Sequence, residues 1–331
     1  MTRPLVLLTN PIEPLERLRL AEHCEVTELA AADAASVLAG AREAQAIIVR
    51  ANLPEDIFER CPGVLAAVRH GAGTDMIPVE RATAAGVMVA NAPGANAVTV
   101  AEYAASQMLQ LSRQLARIDR TLREQDWPRA RVIADGGSDL AGRTLGVIGT
   151  GAIGSALGRI AGLGLSMTVL GHRRSPGELP EPMQRASLEE LLERSDYVAL
   201  TCPLTEQTRG LIGAAQLARM KPGARLINVS RGPVVDQAAL VEALRSAHLG
   251  GAALDVFETQ PLPADSPLWH FPNVLLSPHM AGITADSMRR MSRMVVDQTL
   301  EMLAGRPPRH FVNPLVWPNR RPNPFAAPGP A

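Results

Sequence analysis

The stretch Val147-Ile148-Gly149-Thr150-Gly151-Ala152-Ile153-Gly154 constrains this chain more than any other. Thr144 to Ile148 is a short β-prone apolar run. After the glycines, Ile153, Leu157 and Ile160 recur at i, i+4 and i+7, one face of a helix. The order is strand, glycine turn, helix start, with the spacing Gly-x-Gly-x-x-Gly. One glycine permits the tight turn, one lets backbone approach phosphates, and one lets helix and strand pack closely. The helix N-terminus adds unpaired N–H groups and the positive end of its dipole. The pattern predicts a dinucleotide pyrophosphate held on a Rossmann-type α/β unit.

The ribose position comes next along the chain. In NAD sites an acidic residue about 20 positions on accepts a bond from the ribose 2′-hydroxyl. Here the run Ser166 to Leu170 is followed by Gly171-His172-Arg173-Arg174-Ser175. His172 fills the acidic slot and two arginines follow it. Guanidinium groups grip phosphate bidentately. The segment predicts NADP as the preferred cofactor and NAD as the second; a solvated basic loop is the plainer alternative.

The chain has 331 residues, enough for two domains with separate cores. Lys+Arg and Asp+Glu each number 33, so the formal net charge is zero, which argues against a nucleic-acid or anionic-membrane surface. Hydrophobic residues make up 46%, yet no stretch resembles a membrane span. Leu5-Val6-Leu7-Leu8 reads as a strand rather than a signal peptide. Cys24, Cys61 and Cys202 are too far apart for a disulfide framework or a metal cluster, so a reducing, cytoplasmic setting and no metal are expected.

Strand and helix patterns alternate, which predicts parallel sheets. Strands are expected at Leu5–Thr9, Ala46–Val49, Leu65–Arg69 and Val87–Ala90, with a helix near Leu15–Ala21. Val98 to Gln125 reads as one or two helices. Later strands are expected at Asp196–Leu200, Arg225–Ser230, Ala252–Phe257 and Val274–Ser277, then a helix at Thr284–Leu303. The glycine turn comes at residue 149 rather than near the start, so a dinucleotide domain is inserted into another. Residues 1–97 and 287–317 form the outer domain and 98–286 the inserted one. The Pro-rich stretch 318–331 reads as a disordered tail.

Chemistry belongs at the carboxyl ends of the strands. One such end carries Ser230-Arg231-Gly232, the next Asp255 with Glu258 and Gln260, and a third Pro278-His279-Met280. An arginine can bind a 2-oxo acid's carboxylate and polarise its carbonyl. A histidine can pass a proton to the carbonyl oxygen while hydride arrives from a nicotinamide. The bland alternative makes Arg231 an ion-pair partner and His279 a satisfied loop histidine.

The chain resembles the D-isomer-specific 2-hydroxyacid dehydrogenases from about residue 45 to 315. The resemblance rests on Arg69-His70-Gly71-Ala72-Gly73-Thr74-Asp75, Asn91-Ala92-Pro93-Gly94-Ala95-Asn96, Val100-Ala101-Glu102 and the glycine turn. It continues in Pro203-Leu204-Thr205, Asn228-Val229-Ser230-Arg231-Gly232, Asp255-Val256-Phe257-Glu258 and Ser277-Pro278-His279. It implies a flavodoxin-like substrate domain, a Rossmann cofactor domain and a homodimer built on the cofactor domain. It also implies a small 2-oxo or 2-hydroxy acid substrate, with an NADP-preferring hydroxypyruvate or glyoxylate reductase as the nearest type. By position Arg231 binds substrate, His279 is the acid/base, and the Gly71, Ala72 and Gly73 backbone cradles the carboxylate. Cofactor contacts fall to Thr99, Gly149, Gly151, Ala152, Ile153, Gly154, His172, Arg173, Arg174, Cys202, Pro203, Thr208, Val229, Ser230, Asp255, His279 and Gly282.

One position departs from the family. A glutamate usually lies five residues after the Asp255 equivalent and bonds the catalytic histidine; here it is Gln260. An amide can orient the imidazole but adds no charge to favour its protonated form. Glu258 is the other carboxylate nearby, displaced by two positions. Arg50, Arg69 and His70 are candidates for a second anionic group of the substrate, such as phosphate; the alternative turns Arg69 away and leaves Arg50 solvated. Gln260 also fits a formate-type dehydrogenase, and a phosphoglycerate-type enzyme is a further family alternative. A cofactor-sensing, non-catalytic corepressor is another class, against which Arg231 and His279 together argue.

Overall fold

Short apolar runs separated by helices build two all-parallel sheets in the computed structural model, which describes residues 3–326. The chain divides into two units: the segments up to Asn96 and from Ile283 onward form one, and Ala97–Gly282 the other.

The first unit holds β1 (Leu5–Leu8), α1 (Pro14–Ala21), β2 (Glu25–Glu28), α2 (Ala34–Ala41) and β3 (Ala46–Val49). It continues through α3 (Ile57–Arg60), β4 (Ala66–Arg69), α4 (Val79–Ala84) and β5 (Met88–Ala90). Strand order is β2-β1-β3-β4-β5, the flavodoxin-like order expected. β3 is Ala-Ile-Ile-Val and fully buried, because helices cover both faces of a parallel sheet. β2 escaped the sequence reading. It is an edge strand, Glu-Val-Thr-Glu, with three of four residues exposed, so it carries no apolar run.

The second unit begins with α5 (Ala97–Arg113), α6 (Leu115–Glu124) and α7 (Trp127–Ile133). The periodic stretch after Val98 breaks at Gln114, which has φ of 53°. Then come β6 (Thr144–Ile148), α8 (Ala152–Arg159), β7 (Thr168–His172), β8 (Gln184–Arg185), α9 (Leu188–Arg194) and β9 (Tyr197–Leu200). The unit closes with α10 (Ala214–Arg219), β10 (Arg225–Asn228), α11 (Gln237–Arg245), β11 (Gly251–Leu254) and β12 (Val274–Leu276). The order β12-β11-β10-β9-β6-β7-β8 is the doubly wound Rossmann arrangement. Side chains alternate across it: Val198 and Leu200 of β9 enter one apolar cluster, Tyr197 and Ala199 the other. The strand order reverses between β6 and β9, and ligands of such sheets bind beyond the carboxyl ends at that point.

α12 (Ala285–Leu303) returns the chain to the first unit. Thr284 caps it: its hydroxyl accepts from the Ser287 amide at 3.1 Å, and the Ser287 hydroxyl accepts from the Thr284 amide at 2.9 Å. Met291, Val295 and Met302 then join Val6, Ile48 and Val68 in one core.

The expected disordered tail needs correction up to residue 326. The Arg321 guanidinium donates to the carbonyls of Ala85 (2.8 Å), Cys61 (3.0 Å), Val64 (2.7 Å) and Phe58 (2.6 Å). Asn323 Nδ2 donates to Leu303 O at 2.9 Å, capping the end of α12, and Arg320 stacks over Trp317 at 3.9 Å. Composition hid this, because one arginine collects carbonyls left at loop ends and helix termini. Residues 327–331 of the expected tail lie outside the described residues.

Candidate active site

Each glycine of the turn after β6 has a different steric reason. Gly149 has φ of 98°, and a Cβ there would lie 2.5 Å from the Cys202 amide nitrogen, so the turn presses against the chain leaving β9. At Gly154 a Cβ would lie 2.2 Å from the Gly149 carbonyl oxygen, so α8 sits hard against the turn. At Gly151 a Cβ would meet nothing within 4 Å. Gly151 caps α8 with extended backbone, so absence of a side chain there leaves room over the helix N-terminus. Those residues fit a dinucleotide pyrophosphate, which the Ala152, Ile153 and Gly154 amides at the helix start would hold. Thr201 Oγ1 donates to Gly149 O at 2.6 Å and holds the turn.

β7 ends beside this turn. Ile148 pairs with His172, and the Gly149 amide donates to His172 O at 2.9 Å. His172 Nδ1 meets Ala186 O at 3.3 Å. Arg173 donates from Nε (3.0 Å) and Nη2 (2.8 Å) to Ser175 Oγ, and exposed Arg174 donates to Gln207 Oε1. Ser175 and Gln207 are neutral, so neither cancels the positive charge at this strand end. Beyond β9, Cys202 is buried, with its thiol pushed up by desolvation. Thr208 Oγ1 donates to Pro203 O at 2.7 Å and closes the loop between them. Thr99 is buried in the first turn of α5.

The loop after β10 is stapled by Asn228, which is 1% exposed. Its Oδ1 accepts from the Ser230 amide (3.0 Å) and hydroxyl (2.7 Å), and its Nδ2 donates to Arg231 O at 3.1 Å. Val229 donates to Leu200 O at 3.3 Å, and Arg231 Nη1 to Ser230 O at 2.7 Å. Gly232 follows because a Cβ there would lie 1.9 Å from the Phe257 carbonyl carbon. The Arg231 loop is therefore packed directly on the chain leaving β11.

That chain carries Asp255 and Gln260. His279, after β12, is half-buried with φ of 54°. Its Nδ1 lies 3.1 Å from Gln260 Oε1, while Gln260 Nε2 donates to Phe257 O at 3.4 Å. The amide nitrogen is thus spent on a carbonyl and the amide oxygen faces the ring. With an amide oxygen as its partner, Nδ1 is the donor, so in the neutral ring the proton sits on Nδ1. Glu258 is not the missing acid: its Oε1 accepts from the Gln237 amide at 3.1 Å, at the start of α11. Asp255, 2% exposed, spends its carboxylate on Ser277 Oγ (2.6 Å) and the Met280 and Ala281 amides (both 2.8 Å), leading to Gly282.

In the first unit, Gly71 follows β4 with φ of 150° and lies against the Arg69 guanidinium. Among the described residues, neither the Ala72 nor the Gly73 amide donates to a protein acceptor. Arg69 holds this loop by donating to Gly73 O (3.1 Å), Val49 O (3.0 Å) and His70 O (2.7 Å). His70 Nε2 meets Ser292 Oγ at 2.8 Å, and burial pushes the imidazole down to about 3. It is a neutral core histidine, poorly suited to an anion. Arg50 donates to Pro11 O.

A Rossmann turn with an oriented histidine and an arginine at the strand ends on either side of β11 defines a dinucleotide-dependent oxidoreductase. Residues 105–281 match the description "D-isomer specific 2-hydroxyacid dehydrogenase, NAD binding domain". The chain is 36% identical over 329 residues to a glyoxylate reductase of Korarchaeum cryptofilum, covering 97% of this chain and 99% of that protein. It is 35% identical over 309 residues to a D-3-phosphoglycerate dehydrogenase of Mycobacterium bovis, covering 92% of this chain but 58% of the relative. A solved NADPH-dependent glyoxylate/hydroxypyruvate reductase from Sinorhizobium meliloti, in complex with NADP and malonate, superposes with a TM-score of 0.84 at 33% identity, covering 97% of this chain and 99% of that one. The chain belongs to the D-isomer-specific 2-hydroxyacid dehydrogenase family and is an NAD(P)-dependent enzyme of it. Among the described residues no helix is long and apolar enough to cross a membrane, and no cluster of His, Cys, Asp and Glu could hold a metal.

Sequence reasoning gave no role to Asn228, Thr201, Ser277 or Tyr103. The first two lie beside assigned motifs, and their polar side chains at buried strand ends were the available signal. Tyr103 gave none, since it meets Ser277 across 174 positions of chain.

Proposed function

We propose that this enzyme reduces a small 2-oxo acid, glyoxylate or hydroxypyruvate, to the corresponding 2-hydroxy acid (the D isomer where the product is chiral), with NADPH preferred over NADH. The observation that supports the chemistry is the Gln260–His279 pair, which orients the ring with Nδ1 toward the amide oxygen, and proton transfer is assigned to Nε2. His279 Nε2 donates its proton to the carbonyl oxygen during reduction and recovers it in the reverse direction. Arg231 binds the substrate carboxylate and polarises the adjacent carbonyl. A nicotinamide dinucleotide held at the glycine turn would supply the hydride in reduction and accept it in the reverse direction. Gly71, Ala72 and Gly73 are assigned to the substrate carboxylate through their backbone amides. The glycine turn, Thr99, Cys202, Pro203, Thr208, Val229, Ser230, Asp255 and Gly282 are assigned to the cofactor.

The NADP preference is supported by Arg173 and Arg174 at the end of β7, whose partners Ser175 and Gln207 carry no charge, and by the NADPH-dependent relative. The small substrate is supported by the commitment of Arg69 to three carbonyls, which leaves it poorly placed for a phosphate. Exposed Leu109, Leu115, Leu122, Trp127 and Val132 on α5–α7 support a homodimer. The three free cysteines support a reducing, cytoplasmic setting.

Initial rates with NADPH and NADH test the reading against glyoxylate, hydroxypyruvate and a phosphorylated 2-oxo acid. NADPH is expected to exceed NADH in kcat/KM by at least about tenfold, and Arg173→Ala with Arg174→Ala to erase that margin. A preference for NADH would overturn the assignment of the two arginines. Turnover confined to the phosphorylated acid would overturn the small-substrate reading.

A further inference from the structure

We propose that Tyr103 is a positioning residue for His279, acting through Ser277 on the Asp255 carboxylate. The proposal rests on the reading of His279 as acid/base. His279 has φ of 54°, a left-handed conformation unusual for a residue with a Cβ. Such strain persists only where the surroundings over-determine it.

Asp255 supplies that determination. Its carbonyl accepts from the His279 amide at 2.9 Å. Its carboxylate accepts from the two amides after His279 and from Ser277 Oγ. The loop is thus gripped on both sides of the histidine by one residue that is 2% exposed.

Proton counting makes the next link directional. An ionised carboxylate only accepts, so the single Ser277 hydroxyl proton goes to Asp255. The Tyr103 hydroxyl lies within hydrogen-bond reach of Ser277 Oγ, and Ser277 has only a lone pair left for it. Tyr103 is therefore the donor, and its phenol must stay protonated. Burial pushes that phenol upward, the Ser277 hydrogen bond offsets part of the rise, and the Asp255 charge adds to it, so the net shift is toward the protonated donor. The run Tyr103 → Ser277 → Asp255 → His279 loop fixes one rotamer of a serine that otherwise has three. It ties α5 to the acid/base without touching substrate.

The test uses Tyr103→Phe, Ser277→Ala, their double variant and Ser277→Thr in the full chain, with glyoxylate or hydroxypyruvate and NADPH. Tyr103→Phe is expected to lower kcat about five- to tenfold while KM for NADPH stays within about twofold. Ser277→Ala is expected to match it and the double variant to be no worse, because both break one run. Ser277→Thr keeps the hydroxyl and is expected to retain wild-type kcat. Wild-type kcat in Tyr103→Phe, multiplying losses in the double variant, or a Ser277→Thr as poor as Ser277→Ala would each overturn the proposal. His279→Gln separates it from the underlying reading: retained activity there removes both. Loss there of at least about a hundredfold, with Tyr103→Phe unaffected, removes the positioning role alone.

Discussion

Gln260 sits where a carboxylate would do most for His279. Its amide oxygen, 3.1 Å from Nδ1, orients the ring but lends no charge to the imidazolium. Reduction of a 2-oxo acid consumes the protonated ring, so a charge that favours protonation extends activity to higher pH. Gln260→Glu is expected to move the limb of the kcat/KM profile that reports the acid form upward by about one pH unit or more. A superimposable profile would show that position 260 only aligns the ring. Much of this pair was legible in sequence, because the spacing from Asp255 to Gln260 and the Pro278-His279 run carry the family pattern. The anchoring of Asp255 was not legible. Which amides a buried carboxylate gathers depends on how the chain turns after the neighbouring strand, and no local pattern encodes that.

At the scale of the element, the turn after β6 separates folding from binding, glycine by glycine. Gly154→Ala puts a methyl group 2.2 Å from Gly149 O and forces α8 away from β6. It is expected to cost about 1–3 kcal/mol in urea-unfolding stability, as overpacking does. In Gly151→Val the added Cβ meets nothing within 4 Å, and the backbone there is already extended. It is expected to leave the unfolding midpoint unchanged while weakening NADPH binding at least about tenfold, read by fluorescence titration. Equal loss of stability in both variants would show that the room at Gly151 serves the fold. This element was the easiest to read, since its turn, spacing and helix face all lie within a dozen residues. β2 and β8 were unreadable for the opposite reason: each is short, polar and stabilised by a neighbour rather than by its own pattern.

At the scale of the whole molecule, the first unit is closed by both ends of the chain, and His70 is one of its fasteners. Its Nε2 meets Ser292 Oγ on α12, and the same hydroxyl oxygen accepts from the Glu13 amide ahead of α1 at 3.0 Å. A single buried contact thus joins β4, α12 and the N-terminal segment. In the unfolded chain this imidazole titrates near 6.5; in the fold, burial first and the Arg50 and Arg69 charges second push it to about 3. Between those values the unfolded chain takes up a proton that the folded chain refuses. The stability owed to the neutral ring is whole above about 6.5, fades as pH falls below it, and is lost by about 3. The fall approaches about 1.4 kcal/mol per pH unit for one such group. His70→Gln keeps a hydrogen-bonding side chain but cannot titrate. Urea midpoints measured from pH 7 to pH 4 are expected to drop more steeply in the natural chain than in His70→Gln, with the two curves converging toward acid pH. Parallel curves would mean that other groups carry the acid lability and that His70 accepts a proton without opening the contact between the two chain ends.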